Sequence, residues 1–194
     1  MFHDASGPLY EFLKNIGRDM SDCGHETPFA WFAKIAGVRA GCMLPTEWIV
    51  AHLNELAESD FELLVESTRK FHVVHSPRSH DYLAHSRFPF ERLRSLVFNI
   101  CLGTDSLASN ENLSLFAEMR ALQRSEPALS PKEVLEMVTV NAARALGKSQ
   151  ALGWIHTNCF ADLIAIPCSG MTNVFEEILA FDQPVQWIMV NGKT

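Results

Sequence analysis

Three side chains that can transfer protons or bind a metal follow three apolar runs in the sequence. His52 follows "WIVA", His75 follows "HVV", and Asp105 follows "NICLGT". Imidazole and carboxylate groups are common general acids, general bases and metal ligands. Taken singly, each residue has an ordinary structural explanation, since an Asp in such a loop often begins a turn and a strand-end histidine is often hydrogen-bonded within the fold. Their shared placement favours an active site.

The elements that must position these residues alternate along the chain. Apolar, β-branched runs predict strands at 47–53, 72–77 and 99–103. Helical spacing and breakers predict helices at 6–17, 27–38, 59–71, 89–97, 111–125 and 130–147. This alternation predicts an α/β fold with a parallel sheet, in which functional side chains lie at the carboxyl ends of the strands.

Helix caps and two late strands complete the predicted elements. The capping residues that we expect are Ser6, Ser59 with Glu62, and Ser130 with Glu133. Pro131 at the first helical position and Gly147 as a stop make the helix at 130–147 the clearest in the chain. Two further strands are predicted at 162–167 and 185–193.

Composition excludes several classes of function. The chain has 194 residues, 47% of them hydrophobic, which is enough for a domain with a core. A net charge of -7 without any basic run argues against nucleic acid as the main partner. No run of apolar residues is long enough for a membrane span, and the first residues do not resemble a signal peptide. Five cysteines without a CxxC pair favour reduced thiols and a cytoplasmic location.

The other histidines, and two charged residues of a predicted helix, are not assigned to the active site itself. The histidines that we expect to be surface or structural residues are His3, His25, His80, His85 and His156. His72 begins its strand and therefore lies at the wrong end. Glu118 and Arg120, on the predicted helix at 111–125, have two open interpretations: they pair with each other or support the site from behind, or they belong to a solvated helix face.

Four segments, taken in order, resemble the C-terminal half of the amidohydrolase superfamily. They are "WIVAHL", "VVHSPRSH", "LGTDSLASNENLSLFAEMR" and "VTVNAARALG" with the following "LGWIHTNCFADLIAI". The branch that they resemble contains cytosine-deaminase-like and chlorohydrolase-like enzymes of the ATZ/TRZ type. The resemblance implies a partial (β/α)8 TIM barrel, strands 6–8 with their helices, over residues 1–148. It also implies that residues 149–194 return to a small β-sandwich domain.

The resemblance also implies roles for the strand-end residues. Asp105 matches the family's eighth-strand metal ligand and proton shuttle, and His52 matches a sixth-strand catalytic histidine that contacts substrate. His75 and Ser106 are implied to line the substrate pocket. Ser109 and Asn110, with Ser106, are expected to form the polar loop that fixes Asp105. The family hydrolyses C–N or C–Cl bonds of nitrogen heterocycles with one divalent metal, zinc or iron, and its members often form homodimers.

The sequence also departs from the family pattern. It has no His-x-His pair, and its one His-x-x-Glu spacing, "HLNE" at 52–55, falls on the strand that we align with the sixth. His80 stands where the family usually has Asn. A single carboxylate does not hold zinc, which takes about four ligands. We therefore expect the chain alone to bind no metal and to be inactive, and to need the N-terminal half of the barrel as a partner.

Two rival interpretations stay open, and with them whether this chain is an enzyme. The first is a non-catalytic half-barrel that serves association or ligand binding. The second is an unrelated flavodoxin-like binding domain. Three strands that are not adjacent in the barrel order 6-7-8 would rule out the family assignment.

Overall fold

The computed structural model describes residues 4–35, 46–66, 70–170 and 173–194, which belong to two compact units. The first unit, residues 1–45 and 55–70, is helical. Its helices are α1 (Pro8–Asn15), α2 (Pro28–Ile35) and α3 (Glu58–Glu66). The second unit, residues 46–54 and 71–194, holds every described strand. Across the described ranges, no helix is long and apolar enough to cross a bilayer.

Buried residues of α2 and α3 organise the helical unit. Asp60 is fully buried; it accepts hydrogen bonds from the Thr27 hydroxyl and, at 2.8 Å, from the Ala57 N–H. The Asp60 carboxylate thus accepts from the N–H of the residue that precedes α3, which is the role that we predicted for Glu62 towards Ser59. That prediction is wrong, because α3 begins one residue earlier than predicted, at Glu58. The Ser6 cap is also wrong, because Gly7 occupies that position without a side-chain cap.

The second unit is built on a three-stranded parallel sheet. Its strands are β1 (Ile49–Ala51), β2 (His72–His75) and β3 (Asn99–Leu102), in the order β1-β2-β3. Val73 of β2 is level with Val50 on one side and with Ile100 on the other. The predicted parallel arrangement is confirmed, and the strands are neighbours in sequence order, as the family assignment requires.

The described helices of this unit all come after β2 in the chain. They are α4 (Pro77–Tyr82), α5 (Phe90–Ser95), α6 (Leu115–Ser125), α7 (Pro131–Val138), α8 (Val140–Ala145) and α9 (Val174–Ala180). Of these, α4 and α5 follow β2, α6 to α8 follow β3, and α9 comes after both. Phe71, Val73, Leu93, Leu122 and Val134 are fully buried in this unit. Burying an aliphatic or aromatic side chain of this size stabilises a fold by about 1.5–3 kcal/mol, so these residues form its core.

Two further predicted helices differ from the structure in where they begin or in their continuity. The helix predicted at 130–147 is divided at Thr139, whose backbone leaves the helical region (φ −119°, ψ −88°). Its start is as predicted, since Ser130 and Glu133 form a capping box with Pro131 in the first turn. The helix predicted from 111 begins later, after Ser114, whose hydroxyl accepts from the Ala117 N–H. Neither α4 nor α9 was predicted.

The last two strands form a separate antiparallel pair. They are β4 (Leu163–Ala165) and β5 (Trp187–Met189), with Ile164 level with Ile188. Both lie inside the ranges predicted from sequence. Their membership of a β-sandwich, and a boundary at residue 148, remain predictions.

Candidate active site at the strand ends

The structure places the three predicted residues at one edge of the parallel sheet. His52 directly follows β1, His75 is the last residue of β2, and Asp105 lies three residues after β3. The ladder continues past the strands, since the His52 N–H donates to the Val74 carbonyl at 2.9 Å and the Gly103 N–H donates to the His75 carbonyl at 3.0 Å. The three segments therefore leave the sheet side by side.

Asp105 is an exposed carboxylate held by two hydroxyls. Ser79 donates to its Oδ2 at 2.7 Å and Ser109 donates to the same oxygen at 3.0 Å. The hydrogen bond from Ser79 is the main cause that lowers the pKa of Asp105, with smaller contributions from Ser109, the Ser106 backbone and the charge of His52. Asp105 is therefore ionised near neutral pH. Sequence reasoning missed Ser79, although it lies in the "HSPRS" segment.

Left-handed backbone occurs in the two loops that carry His52 and Asp105, as it does at five other non-glycine positions of the described chain. His52 (φ 73°), Leu53 (φ 56°) and Asp105 (φ 56°) all adopt the left-handed conformation without being glycine. This conformation costs a non-glycine residue about 1 kcal/mol. Such strained residues cluster at functional sites, where the surrounding structure holds them in place.

His75 is a buried, neutral imidazole. Its side chain is only 4% exposed, and its ring stacks on Phe88 with centroids 4.1 Å apart. Burial, with the nearby charges of His80 and His52, lowers the pKa of His75 to about 3. Within the described part of the chain, its Nδ1 has no hydrogen-bond partner. The ring is thus suited to a pocket wall, while direct contact with substrate stays a prediction.

His80 and His85 extend this arrangement into a histidine cluster, which we define as His52, His75, His80 and His85. Neighbouring ring centroids lie 5.2 Å (His75–His80), 5.4 Å (His80–His85) and 6.4 Å (His52–His85) apart. His80 is buried, which fits the structural one of the two expected roles, whereas His85 is exposed. The chain reversal after α4 brings the two together, because the His85 N–H donates to the His80 carbonyl.

The polar loop after β3 behaves in part as predicted. Ser109 and Asn110 are both engaged: Ser109 binds the Asp105 carboxylate, and Asn110 donates to the Thr104 carbonyl at 2.8 Å. Ser106 is exposed, and its hydroxyl accepts from the Ala108 N–H at 3.3 Å. Ser106 therefore shapes the turn, and a substrate contact for it remains a prediction.

The two open interpretations of the α6 residues are resolved differently for each residue. Glu118 is fully buried and accepts hydrogen bonds from Asn110 and from the Arg78 backbone, so it lies behind the site rather than on a solvated face. Arg120 instead donates to the Phe181 carbonyl, after α9.

Metal binding needs more than the described residues provide. Over the ranges that the structure covers, no three His, Cys, Asp or Glu side chains are arranged to hold an ion. Asp105 is one carboxylate, and the rings of the histidine cluster do not converge on it with ligand geometry. A divalent metal therefore does not fit these residues on their own.

Adjacent parallel strands that present polar side chains at their carboxyl ends define a parallel α/β protein with an enzyme-like site. A family model described as "Amidohydrolase family" matches residues 12–194. The chain therefore belongs to the amidohydrolase family, as its motifs predicted.

A curated relative is similar to most of this chain. A 5-methylthioadenosine/S-adenosylhomocysteine deaminase of Saccharophagus degradans is 37% identical over 175 residues, which are 87% of this chain and 38% of that protein. The chain thus spans well under half the length of this relative.

Solved structures share the fold. An adenosine deaminase from Xanthomonas campestris with bound zinc superposes with a TM-score of 0.73 at 24% identity, over 99% of this chain and 43% of the other. The atrazine chlorohydrolase of Arthrobacter aurescens, complexed with zinc and atraton, superposes with a TM-score of 0.61 at 19% identity. The superposition covers 75% of this chain and 35% of the other. These superpositions, together with the parallel sheet, confirm the predicted α/β fold; a partial barrel remains a prediction.

Proposed function

We propose that the chain supplies part of the active site of a metal-dependent hydrolase that removes an amino group from the heterocycle of a nucleoside. The observation that carries the proposal is the Asp105 carboxylate, fixed by Ser79 at 2.7 Å and presented beside the strand-end His52. The names of the relatives support an adenine nucleoside as substrate class. A C–Cl bond of a triazine is the related alternative.

The residues of this chain perform proton transfer and orientation. Water attacks the ring carbon, a C–O bond forms, the C–N bond breaks, and the nitrogen leaves as ammonia. Asp105 accepts the proton of the water and passes it to the leaving nitrogen, while His52 donates a hydrogen bond to the ring. The lowered pKa keeps Asp105 ionised but makes it a weak base, so groups outside the described residues must make the water more acidic.

The remaining parts of the site come, in this proposal, from polypeptide outside this chain. The relative of Saccharophagus degradans extends well beyond the matched 38% of its length. That additional polypeptide supplies the further ligands of one divalent metal, zinc or iron, to which Asp105 contributes one oxygen. The chain by itself is then inactive. Self-association as a homodimer and a cytoplasmic location are further expectations of the same proposal.

A chimaera tests the proposal. The matched segment of the Saccharophagus degradans deaminase is replaced by residues 12–194, and ammonia release from 5′-methylthioadenosine is measured together with zinc content. We expect activity and about one zinc per chain, and a loss of about 100-fold or more in kcat for Asp105→Asn. Residues 1–194 alone should release no ammonia.

A matched control uses an exposed acid of the helical unit. Asp22→Asn should leave the chimaera's activity unchanged. A chimaera that melts cooperatively and binds zinc but releases no ammonia contradicts the proposal, as does full activity of Asp105→Asn.

A second candidate is a non-catalytic ligand-binding module. It is favoured by the lack, among the described residues, of three side chains placed to hold a metal. Calorimetric titration of residues 1–194 with adenosine in the presence of a chelator separates the two functions. Saturable binding that is lost in His52→Ala supports the module, whereas no binding by the chain alone supports the incomplete active site.

A further inference from the structure

We infer that Glu118 is the positioning residue that fixes Asp105 in its catalytic orientation, by holding both segments that contact the Asp105 carboxylate. This inference rests on the proposed function for its catalytic meaning. Its geometric content concerns this chain alone and is tested without metal or substrate.

Glu118 is a fully buried carboxylate in the first turns of α6, and both of its oxygens accept hydrogen bonds. Oε2 accepts from the backbone N–H of Arg78 at 3.0 Å, and Oε1 accepts from Nδ2 of Asn110 at 2.7 Å. The Arg78 guanidinium lies 3.9 Å from Oε1. A buried carboxylate needs such partners, because an unpaired charge in a protein interior is strongly destabilising.

The first hydrogen bond of Glu118 positions the hydroxyl that binds Asp105. Arg78 directly precedes Ser79, and Ser79 donates to Asp105 Oδ2 at 2.7 Å. Because Glu118 holds the Arg78 N–H at the start of α4, it fixes where the Ser79 side chain leaves the backbone. The α4 segment is thereby joined to α6 across 40 residues of sequence.

The second hydrogen bond positions the backbone of Asp105 itself. Asn110 uses Nδ2 twice, donating to Glu118 Oε1 and, at 2.8 Å, to the carbonyl of Thr104. Thr104 directly precedes Asp105, whose left-handed backbone requires outside support. Glu118 therefore orients the Asn110 amide, which in turn holds the residue next to Asp105.

The carboxylate form is specifically required for these two contacts. Both atoms that approach Glu118 are N–H donors, so both of its oxygens must act as acceptors. Burial raises the pKa of Glu118, and the hydrogen bonds from Arg78 and Asn110 act against that rise. A glutamine has nearly the same volume but replaces one acceptor with an NH₂ donor, so it can satisfy only one of the two contacts.

The test compares three variants of residues 1–194 by NMR at pH 7. Glu118→Gln should shift the amide resonances of Arg78 and of residues 103–109, together with the Asp105 ¹³Cγ resonance. The double variant Glu118→Gln with Asn110→Asp restores the contact between positions 110 and 118. It cannot donate to the Thr104 carbonyl, so the Asp105 signals should remain shifted. Glu126→Gln is the matched control, since Glu126 is also buried, at the end of α6, and pairs with Arg87 at 3.0 Å.

Three outcomes overturn the inference. They are Asp105 resonances in Glu118→Gln that match wild type, shifts of the Asp105 resonances in Glu126→Gln as large as those in Glu118→Gln, and wild-type Asp105 resonances in the double variant. Each of these results would mean that Glu118 packs in the core without positioning Asp105. Thermal melting checks that each variant is folded, and Glu118→Ala replaces Glu118→Gln if the latter does not fold.

The chimaera provides an independent reading of the same residue. Loss of a residue that supports an active-site ligand typically costs about 10- to 100-fold in activity or metal affinity. Glu118→Gln should lower kcat by that factor with KM little changed, and a rise in KM at constant kcat contradicts a positioning role. If the parent chimaera is inactive, the proposed function fails while the NMR result still decides the position of Asp105.

Discussion

Ser79 donates its hydroxyl to Asp105 Oδ2 at 2.7 Å, joining α4 to the loop after β3 across 26 residues of sequence. Ser79 is almost fully buried, so this hydroxyl is held in place, whereas the carboxylate that it meets is exposed. The contact couples a rigid donor to a carboxylate that is accessible for chemistry.

Replacing Ser79 with alanine should raise the pKa of Asp105 towards its ordinary value. The Ser79 hydrogen bond is the largest cause of the lowered pKa. A lowered pKa stabilises the fold above the ordinary pKa of the carboxyl, and this contribution is lost as the pH falls through the folded-state pKa. Titration of the Asp105 ¹³Cγ resonance measures the change. Ser106→Ala is the control, since only its backbone contributes, and an unchanged pKa in Ser79→Ala would contradict the role of the hydroxyl.

His75 should make the stability of the chain depend on pH below about 6.5. Its folded-state pKa is about 3, so the unfolded chain binds a proton between these values and the folded chain does not. The contribution of the neutral His75 to the free energy of unfolding is therefore fully present above about pH 6.5. It falls on acidification by at most about 1.4 kcal/mol per pH unit. The loss down to pH 3 is on the order of 4 kcal/mol, given the lowered pKa.

The measurement compares urea unfolding of wild type and His75→Phe between pH 7 and pH 4. Phenylalanine can keep the stacking on Phe88, so the variant should lose less stability on acidification than wild type. His156→Phe, at an exposed position, should behave like wild type. Parallel pH profiles for wild type and His75→Phe would show that the buried imidazole is not the cause.

Gly103 should not tolerate a side chain at the exit of β3. A Cβ atom there would lie 2.8 Å from Val74 Cγ1 and 3.6 Å from the Ser76 hydroxyl oxygen. Overpacking of this kind costs about 1–3 kcal/mol, so Gly103→Ala should lower the free energy of unfolding by that amount. Adding Val74→Ala should recover most of the loss. A double-mutant cycle, measured by urea unfolding, tests this steric conflict. Strict additivity of the two substitutions would contradict it.

Asp60 should matter for the helical unit rather than for the site. Asp60→Asn removes one of two acceptors that bind Thr27 and the Ala57 N–H, leaving a buried donor without a partner. We expect a loss of about 1–3 kcal/mol, measured by urea unfolding. Thr27→Val breaks the same contact, so the double variant should lose less than the sum of the single losses. Asp22→Asn serves as the exposed control, and an equal effect there would contradict the assignment.

The sheet was predictable because its strands carry their own signals. Each is a short β-branched run whose neighbours are helices, and alternation of this kind requires a parallel order. The helix α4 was not predictable in the same way: "PRSHDY" has six residues and no apolar period. Thr139 likewise interrupts a helix whose sequence pattern continues across it, because its backbone conformation depends on packing rather than on propensity.

The candidate site was predictable in outline for a related reason. Parallel strands end at one edge, so His52, His75 and Asp105 could be placed together from their positions alone. The residues that support Asp105 could not, because the contacts of Ser79 and Glu118 span 26 and 40 residues and depend on side-chain geometry. Whether His80 is a surface or a structural residue could not be decided from the sequence, because hydrophobic periodicity does not indicate which polar residues are buried.

The left-handed residues His52, Leu53 and Asp105 also set how long the two loops stay closed. At about 1 kcal/mol each, their strain amounts to on the order of 3 kcal/mol. Local opening releases this energy, which shifts the closed-to-open ratio by roughly 100-fold relative to unstrained loops with equal contacts. These loops should therefore open locally more readily than unstrained loops that make the same contacts, so the reactive groups lie on segments with a lower local stability than the sheet.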